Sequence, residues 1–216
     1  MHFKSLYFDL DDTLYPASSG LWDAIRERMN EYMEVLIGLP RPEIVRLRQS
    51  YLEKYGTTLR GLQTYYDVDA DEYLAFVHDL PLQKYIHPDP DLHTLLLSLP
   101  QRRWVFTNSD ANHTHRVLKI LGLTDCFDGI IDIHAIDFAC KPEKIAYQRA
   151  MIVAKDDDPA RCVIFDDAIR NLAPAREMGF FTVLVGKNGF EPGIDRAITN
   201  LHDLPGDMPE LWQDGD

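Results

Sequence analysis

The sequence predicts an α/β fold, a doubly wound parallel sheet carrying a small inserted helical bundle. Three observations predict it. Short apolar runs alternate with helical patterns from Asp89 onward, which implies parallel strands joined by crossovers. A first apolar run at residues 6–8 stands apart from them, and the stretch between shows helical periodicity alone. With 216 residues and 45% hydrophobic content, the chain can fill one substantial core and a smaller appendage. The expected division is residues 1–14 with 90–216 as the main domain and residues 15–89 as the helical unit.

In the helical stretch, Leu21, Trp22, Ile25, Met29, Tyr32, Met33 and Leu36 recur at helical spacing, with Asp23, Arg26, Glu27 and Glu31 between them. The Leu-Pro-Arg-Pro run at 39–42 ends that helix. A second pattern passes through Ile44, Leu47, Tyr51 and Leu52 and stops at Gly56. Shorter periodic pieces at 59–66 and 72–77 make four helices. Beyond Asp89 the sequence predicts a helix around 93–99, a strand at 103–107, a helix at 110–121 ended by Gly122, and a strand at 129–133. A helix at 142–154, a strand at 162–165, a helix at 168–178 ended by Gly179, and a strand at 181–185 follow.

Composition narrows the function. A formal charge of −13 argues against binding of nucleic-acid polymers, whose phosphates need basic stripes. No apolar stretch is long enough to cross a membrane, and a strand-like run so near the amino terminus leaves no room for a secretory leader. Cys126, Cys140 and Cys162 are dispersed and lack Cys-x-x-Cys spacing, which suits a reducing cytoplasm better than a disulfide framework or a zinc site. The acidic tail from 203 to 216, broken by Pro205 and Pro209, is expected to be a solvated end.

Ligands of open α/β sheets bind at the carboxyl ends of the strands. Reading past each predicted strand gives Asp9-Leu10-Asp11, then Thr107-Asn108-Ser109, then Lys141-Pro142, then Asp166-Asp167. On an extended backbone, Asp9 and Asp11 point to one face. Crowding them is costly unless a cation or a proton neutralises one. A polar turn after a strand would also account for Asp-Asp-Thr on its own. Four carboxylates, a lysine and a hydroxyl at one edge make a set suited to moving a phosphoryl group. Hard oxygen ligands suit Mg²⁺, Lys141 adds positive charge, and Thr107 can hydrogen-bond a phosphoryl oxygen.

Asp9-x-Asp11-x-Thr13, Thr107-Asn108, Lys141-Pro142 and Asp166-Asp167, in that order, resemble the four motifs of the haloacid dehalogenase-like hydrolase superfamily. The helical insertion between the first two resembles the C1-type cap of that superfamily. The resemblance implies a Rossmann-like core and Mg²⁺ as cofactor. It makes Asp9 the nucleophile, forming an aspartyl-phosphate, and a metal ligand. Asp11 would be the general acid and base, its backbone carbonyl also a metal ligand. Asp166 would ligate directly, Asp167 directly or through water, and Thr107, Asn108 and Lys141 would hold the phosphate. Haloacid dehalogenases lack an acid at the position of Asp11, so the resemblance implies a phosphatase. Ala168 stands where several relatives carry serine, and Asn171 is expected to hold that loop instead.

Asp12-Thr13-Leu14-Tyr15-Pro16 followed by Gly20-Leu21-Trp22 resembles the pyrimidine 5'-nucleotidase branch. It implies a small-molecule phosphomonoester substrate, a nucleoside 5'-monophosphate, with phosphoglycolate or a sugar phosphate as the alternative. Tyr15, Tyr65, Tyr66, Tyr73 and Phe76 can contact a base or serve as bundle core. His113 and His115, two residues apart, cannot share a helix face, so at most one points inward. His87 and His134 have no partner at ligand spacing. The chain is expected to be a monomer or homodimer. A non-enzymatic rival is a receiver-like signalling module, whose phosphate-accepting Asp lies on a later strand and whose lysine comes last; here Lys141 precedes Asp166.

Overall fold

In the computed structural model, which describes residues 3–187 and 189–213, strand β1 (Ser5–Phe8) is buried along its whole length. A strand covered on both faces reads as a continuous apolar run rather than an alternating one, as Leu6-Tyr7-Phe8 does. The chain divides into two units. One comprises Met1–Ser19 and Ile86–Asp216, the other Gly20–Tyr85. The inserted unit thus starts and ends a few residues inside the expected 15–89, with Tyr15 and Ile86 in the first unit.

The inserted unit contains α1 (Leu21–Val35), α2 (Arg41–Tyr55), α3 (Thr58–Tyr65) and α4 (Ala70–Val77). Leu21, Ile25, Tyr32 and Met33 form the buried stripe of α1. Helix α2 stops where Gly56 takes a left-handed conformation (φ 83°) that a side chain would resist. Thr57 caps α3 and Asp69 caps α4, each side chain accepting an N–H of the first turn. Tyr32 meets Tyr73 edge-on at 5.0 Å and Phe76 at 5.3 Å, and Arg28 lies over the Phe76 ring. Tyr73 is therefore core. Tyr65, stacked on Tyr51, stays 54% exposed. A Cβ at Gly61 would stand 2.2 Å from the Tyr51 ring, so only glycine lets the two helices approach this closely.

The other unit is the sheet. It adds helix α5 (Pro90–Ser98), β2 (Arg102–Phe106), α6 (Ala111–Leu121), β3 (Gly129–Ile131), α7 (Lys144–Ala154), β4 (Cys162–Asp166), α8 (Ile169–Glu177), β5 (Phe181–Val185) and β6 (Arg196–Ile198). The order is β3-β2-β1-β4-β5-β6 and every pairing is parallel. β1 sits between β2 and β4, its Phe8 in register with Val105 and Phe165. Tyr7, Phe106, Tyr147, Ile164, Leu172 and Phe180 belong to one core cluster, while Phe8 stacks on Phe165 with ring centroids 4.5 Å apart. Each such ring contributes about 1.5–3 kcal/mol by leaving water.

Two features differ from the sequence expectation. β6 joins the sheet edge as a three-residue strand too short to show a pattern. The expected solvated tail is instead packed as far as it is described: Leu204, Met208 and Leu211 are fully buried, and Gln101 donates to the Leu211 carbonyl at 2.7 Å. Residues 214–216 lie outside the described ones. Among the described residues no helix is long and apolar enough to cross a membrane.

Candidate active site

The site lies at the carboxyl ends of β1, β2 and β4, as the strand order requires. Asp9 follows β1 directly, and its N–H donates to the Phe165 carbonyl at 2.8 Å. The sheet ladder thereby fixes the Asp9 backbone. The chain then turns. Thr13 and Leu14 donate to the Leu10 carbonyl, and Asp12 is left-handed (φ 58°). Asp9 and Asp11 are therefore not two positions on one extended strand face. The turn expected as an alternative is present, and it sends their carboxylates to different partners.

Asp9 Oδ1 lies 2.9 Å from Lys141 Nζ, and Lys141 Nζ lies 2.6 Å from Asp166 Oδ2. Asp166, the last residue of β4, also accepts from Asn171 Nδ2 at 2.9 and 3.1 Å and from the Ala168 N–H at 2.9 Å. Asn171 thus holds the loop past β4, where Ala168 has no hydroxyl to offer. Oxygens of Asp9, Asp166 and Asp167 lie within 4.8 Å of one another. Burial pushes the Asp9 carboxyl well above the ordinary carboxylate range. Lys141 opposes that rise and the charges of Asp166 and Asp167 add to it. Asp167 reaches the surface, yet the protein packed around its carboxyl, with the charges of Asp166 and Asp12, pushes it up to about 7. Burial alone would depress the Lys141 ammonium; Asp166 and Asp9 outweigh it and hold the group above its ordinary value.

Thr107, just past β2, is buried; its N–H donates to the Ile131 carbonyl and its hydroxyl accepts the Ser109 N–H at 3.0 Å. The Asn108 side chain bridges to Lys141 at both ends: Nδ2 donates to the Lys141 carbonyl at 3.0 Å and Oδ1 accepts its N–H at 2.8 Å. Asn108 therefore meets Lys141 through its side chain.

Asp11 has its own surroundings. Its Oδ1 accepts the Tyr15 hydroxyl at 2.5 Å and lies 3.3 Å from His113 Nε2; its Oδ2 accepts the Ser109 hydroxyl at 3.0 Å. Burial, then the negative charge of Asp11, pushes the Tyr15 hydroxyl well above its ordinary value, so it remains a donor. Of the two histidines on α6, His113 points inward and is buried; His115 is exposed and its ring meets the Ala111 carbonyl. Sequence spacing allowed one inward histidine without saying which. Ser109 and Tyr15 as partners of Asp11 had no signal in the sequence beyond their place near strand ends.

The profile of the haloacid dehalogenase-like hydrolase family matches residues 3–179. "Phosphate metabolism protein 8" of Saccharomyces cerevisiae is 33% identical over 213 residues, covering 92% of this chain. The chain spans 66% of that relative's length. CbbY from Rhodobacter sphaeroides, in complex with phosphate, shares the fold with a TM-score of 0.69 at 17% identity, over 97% of this chain and 99% of that one. YfnB of Bacillus subtilis, bound to magnesium, has a TM-score of 0.59 at 18% identity, over 95% and 98% of the two chains.

Proposed function

The chain belongs to the haloacid dehalogenase-like hydrolase family, and on that premise we propose that it is a Mg²⁺-dependent phosphomonoesterase acting on nucleoside 5'-monophosphates through an aspartyl-phosphate. The observation that carries this reading is the separation of two carboxylates by environment. Asp9 shares a buried lysine with Asp166, while Asp11 is held by neutral donors. One is arranged to be charged beside a cation, the other to handle a proton.

The donor set fits a hard divalent ion. Three carboxylates whose oxygens approach within 4.8 Å, with two of them pushed up, are short of positive charge even beside Lys141. Asp9, Asp166, Asp167 and the Asp11 carbonyl would hold Mg²⁺, which would supply charge compensation for the phosphate oxygens. An Asp9 carboxylate oxygen attacks phosphorus, forming the acyl phosphate as the bond to the leaving oxygen breaks. Asp11 gives that oxygen its proton. A water then attacks phosphorus, Asp11 takes the water's proton, and the P–O bond of the acyl phosphate breaks, freeing the Asp9 carboxylate and inorganic phosphate. Lys141 favours the ionised form of Asp9 and orients it, and Thr107 with the Asn108 N–H receives the phosphate oxygens.

The 33% identical yeast relative is called a phosphate metabolism protein, and CbbY is bound to phosphate, which supports phosphate chemistry here. Family membership sets the receiver-like reading aside. Three buried free thiols fit a cytoplasmic protein. The alternative substrate remains phosphoglycolate or a sugar phosphate. The test is phosphate release from UMP and CMP set against phosphoglycolate and hexose phosphates, with and without Mg²⁺. Preference for the nucleotides is expected. Preference for the others would remove the nucleotide assignment, and no release from any would remove the phosphatase.

A further inference from the structure

We propose that Tyr15 and His113, with Ser109, are positioning residues that hold the Asp11 carboxylate in the attitude both of its proton transfers require. The inference rests on the phosphatase reading and gives these residues a role that no motif of the sequence assigns. Three separate segments converge on one side chain: the turn after β1 brings Tyr15, the loop after β2 brings Ser109, and α6 brings His113. The Tyr15 hydroxyl donates to Oδ1 at 2.5 Å and the Ser109 hydroxyl to Oδ2 at 3.0 Å, with His113 Nε2 3.3 Å from Oδ1, so the plane of the carboxylate is fixed as well as its distance.

Packing alone does not ask for this arrangement. The His113 side chain is fully sealed, Tyr15 is 3% exposed and Ser109 6%, and apolar residues would fill the same volume without needing partners. Polar groups in such a place make sense when their partner must be aimed. An aspartate has two soft side-chain torsions, whereas a proton passes only between heavy atoms about 2.6–3.2 Å apart. Asp11 must meet the leaving oxygen in the first step and the attacking water in the second. It gives one proton and takes one, while its neighbours only aim it. Rigid neighbours make one attitude serve both steps.

The experiment measures kcat/KM, which reports the first phosphoryl transfer, on p-nitrophenyl phosphate and on an alkyl phosphate for wild type, Asp11→Asn, Tyr15→Phe, His113→Leu and His113→Gln. A p-nitrophenolate leaves without a proton and an alkoxide does not. Tyr15→Phe and His113→Leu are expected to lose about 10–100-fold on the alkyl phosphate and only a few-fold on the aryl one. His113→Gln, whose amide can stand near the lost Nε2, should regain much of the loss. Adding Tyr15→Phe to Asp11→Asn should change nothing further on either substrate. Equal losses on both substrates, or full additivity with Asp11→Asn, would overturn the inference, and Tyr15→Phe decides it even where His113→Leu does not fold. A wild type that hydrolyses neither ester defeats the phosphatase reading itself. An active wild type whose Asp11→Asn variant alone discriminates between leaving groups defeats only the role given to Tyr15 and His113.

Discussion

The ammonium of Lys141 and the carboxylate of Asp166 meet at 2.6 Å with 1% and 0% of their side chains exposed. A sealed pair of this kind is weak evidence for stability as a pair, but removing one partner strands the other. Lys141→Met should therefore cost about 3–5 kcal/mol in urea unfolding without metal and abolish turnover. Lys141→Arg should not restore activity, because a planar guanidinium cannot occupy a point reached by a compact ammonium between two carboxylates. An active arginine variant would argue against the tight geometry.

Asp9→Asn separates chemistry from folding. The amide keeps the shape of the side chain but cannot form the acyl phosphate, so turnover should fall by at least about three orders of magnitude. Because burial and two neighbouring charges already work against the ionised Asp9, the variant should unfold at the same temperature as wild type or higher when no metal is present. Near-normal turnover would dismiss Asp9 as nucleophile.

Metal binding has a readout of its own. Mg²⁺ that binds the folded chain raises its melting temperature by mass action, by an amount set by concentration over Kd. Wild type should respond in the millimolar range and lose the response on chelation. Asp166→Asn should blunt it, since Asp166 is the carboxylate that the Asn171 amide and the Ala168 N–H hold in place. An unchanged response in that variant would move the ion elsewhere.

Away from the site, Asp195 ties the β6 side of the sheet to β5. Burial pushes its carboxyl up, but bonds from the Thr182 N–H and hydroxyl and from Arg176 outweigh that and hold it below its ordinary value. A folded value below the unfolded one contributes stability that is fully present above the unfolded value of about 3.9. That contribution disappears as pH falls through the folded value. Asp195→Asn should thus cost about 1 kcal/mol at pH 7, and the gap to wild type should close on acidification below pH 4. A gap independent of pH would show that charge plays no part.

Much of this molecule was legible because burial on both faces writes itself as unbroken apolar runs. Leu6-Tyr7-Phe8 and Val163-Ile164-Phe165 announce the central strands, and the polar residues that end them mark the site edge. The four inserted helices were legible from their stripes and from Gly56. Side-chain aim was not. Tyr15, read as a contact for a base, binds Asp11 because the chain turns through a left-handed Asp12, which no spacing rule reveals. His113 meets Asp11 across 102 residues, a closeness only the sheet creates. Asn108 was expected on the phosphate, and its side chain is spent on the Lys141 backbone. The packed end of the chain was hidden by its acids and prolines, although Leu201, Leu204, Met208 and Leu211 recur at helical intervals.

β1 is made first and needs neighbours made much later: β2 at Arg102–Phe106 and β4 at Cys162–Asp166. On a ribosome, Asp9 would emerge long before the lysine and the carboxylate that give it a purpose. The nucleophile therefore gains its setting only when β4, roughly 150 residues further along the chain, closes beside it.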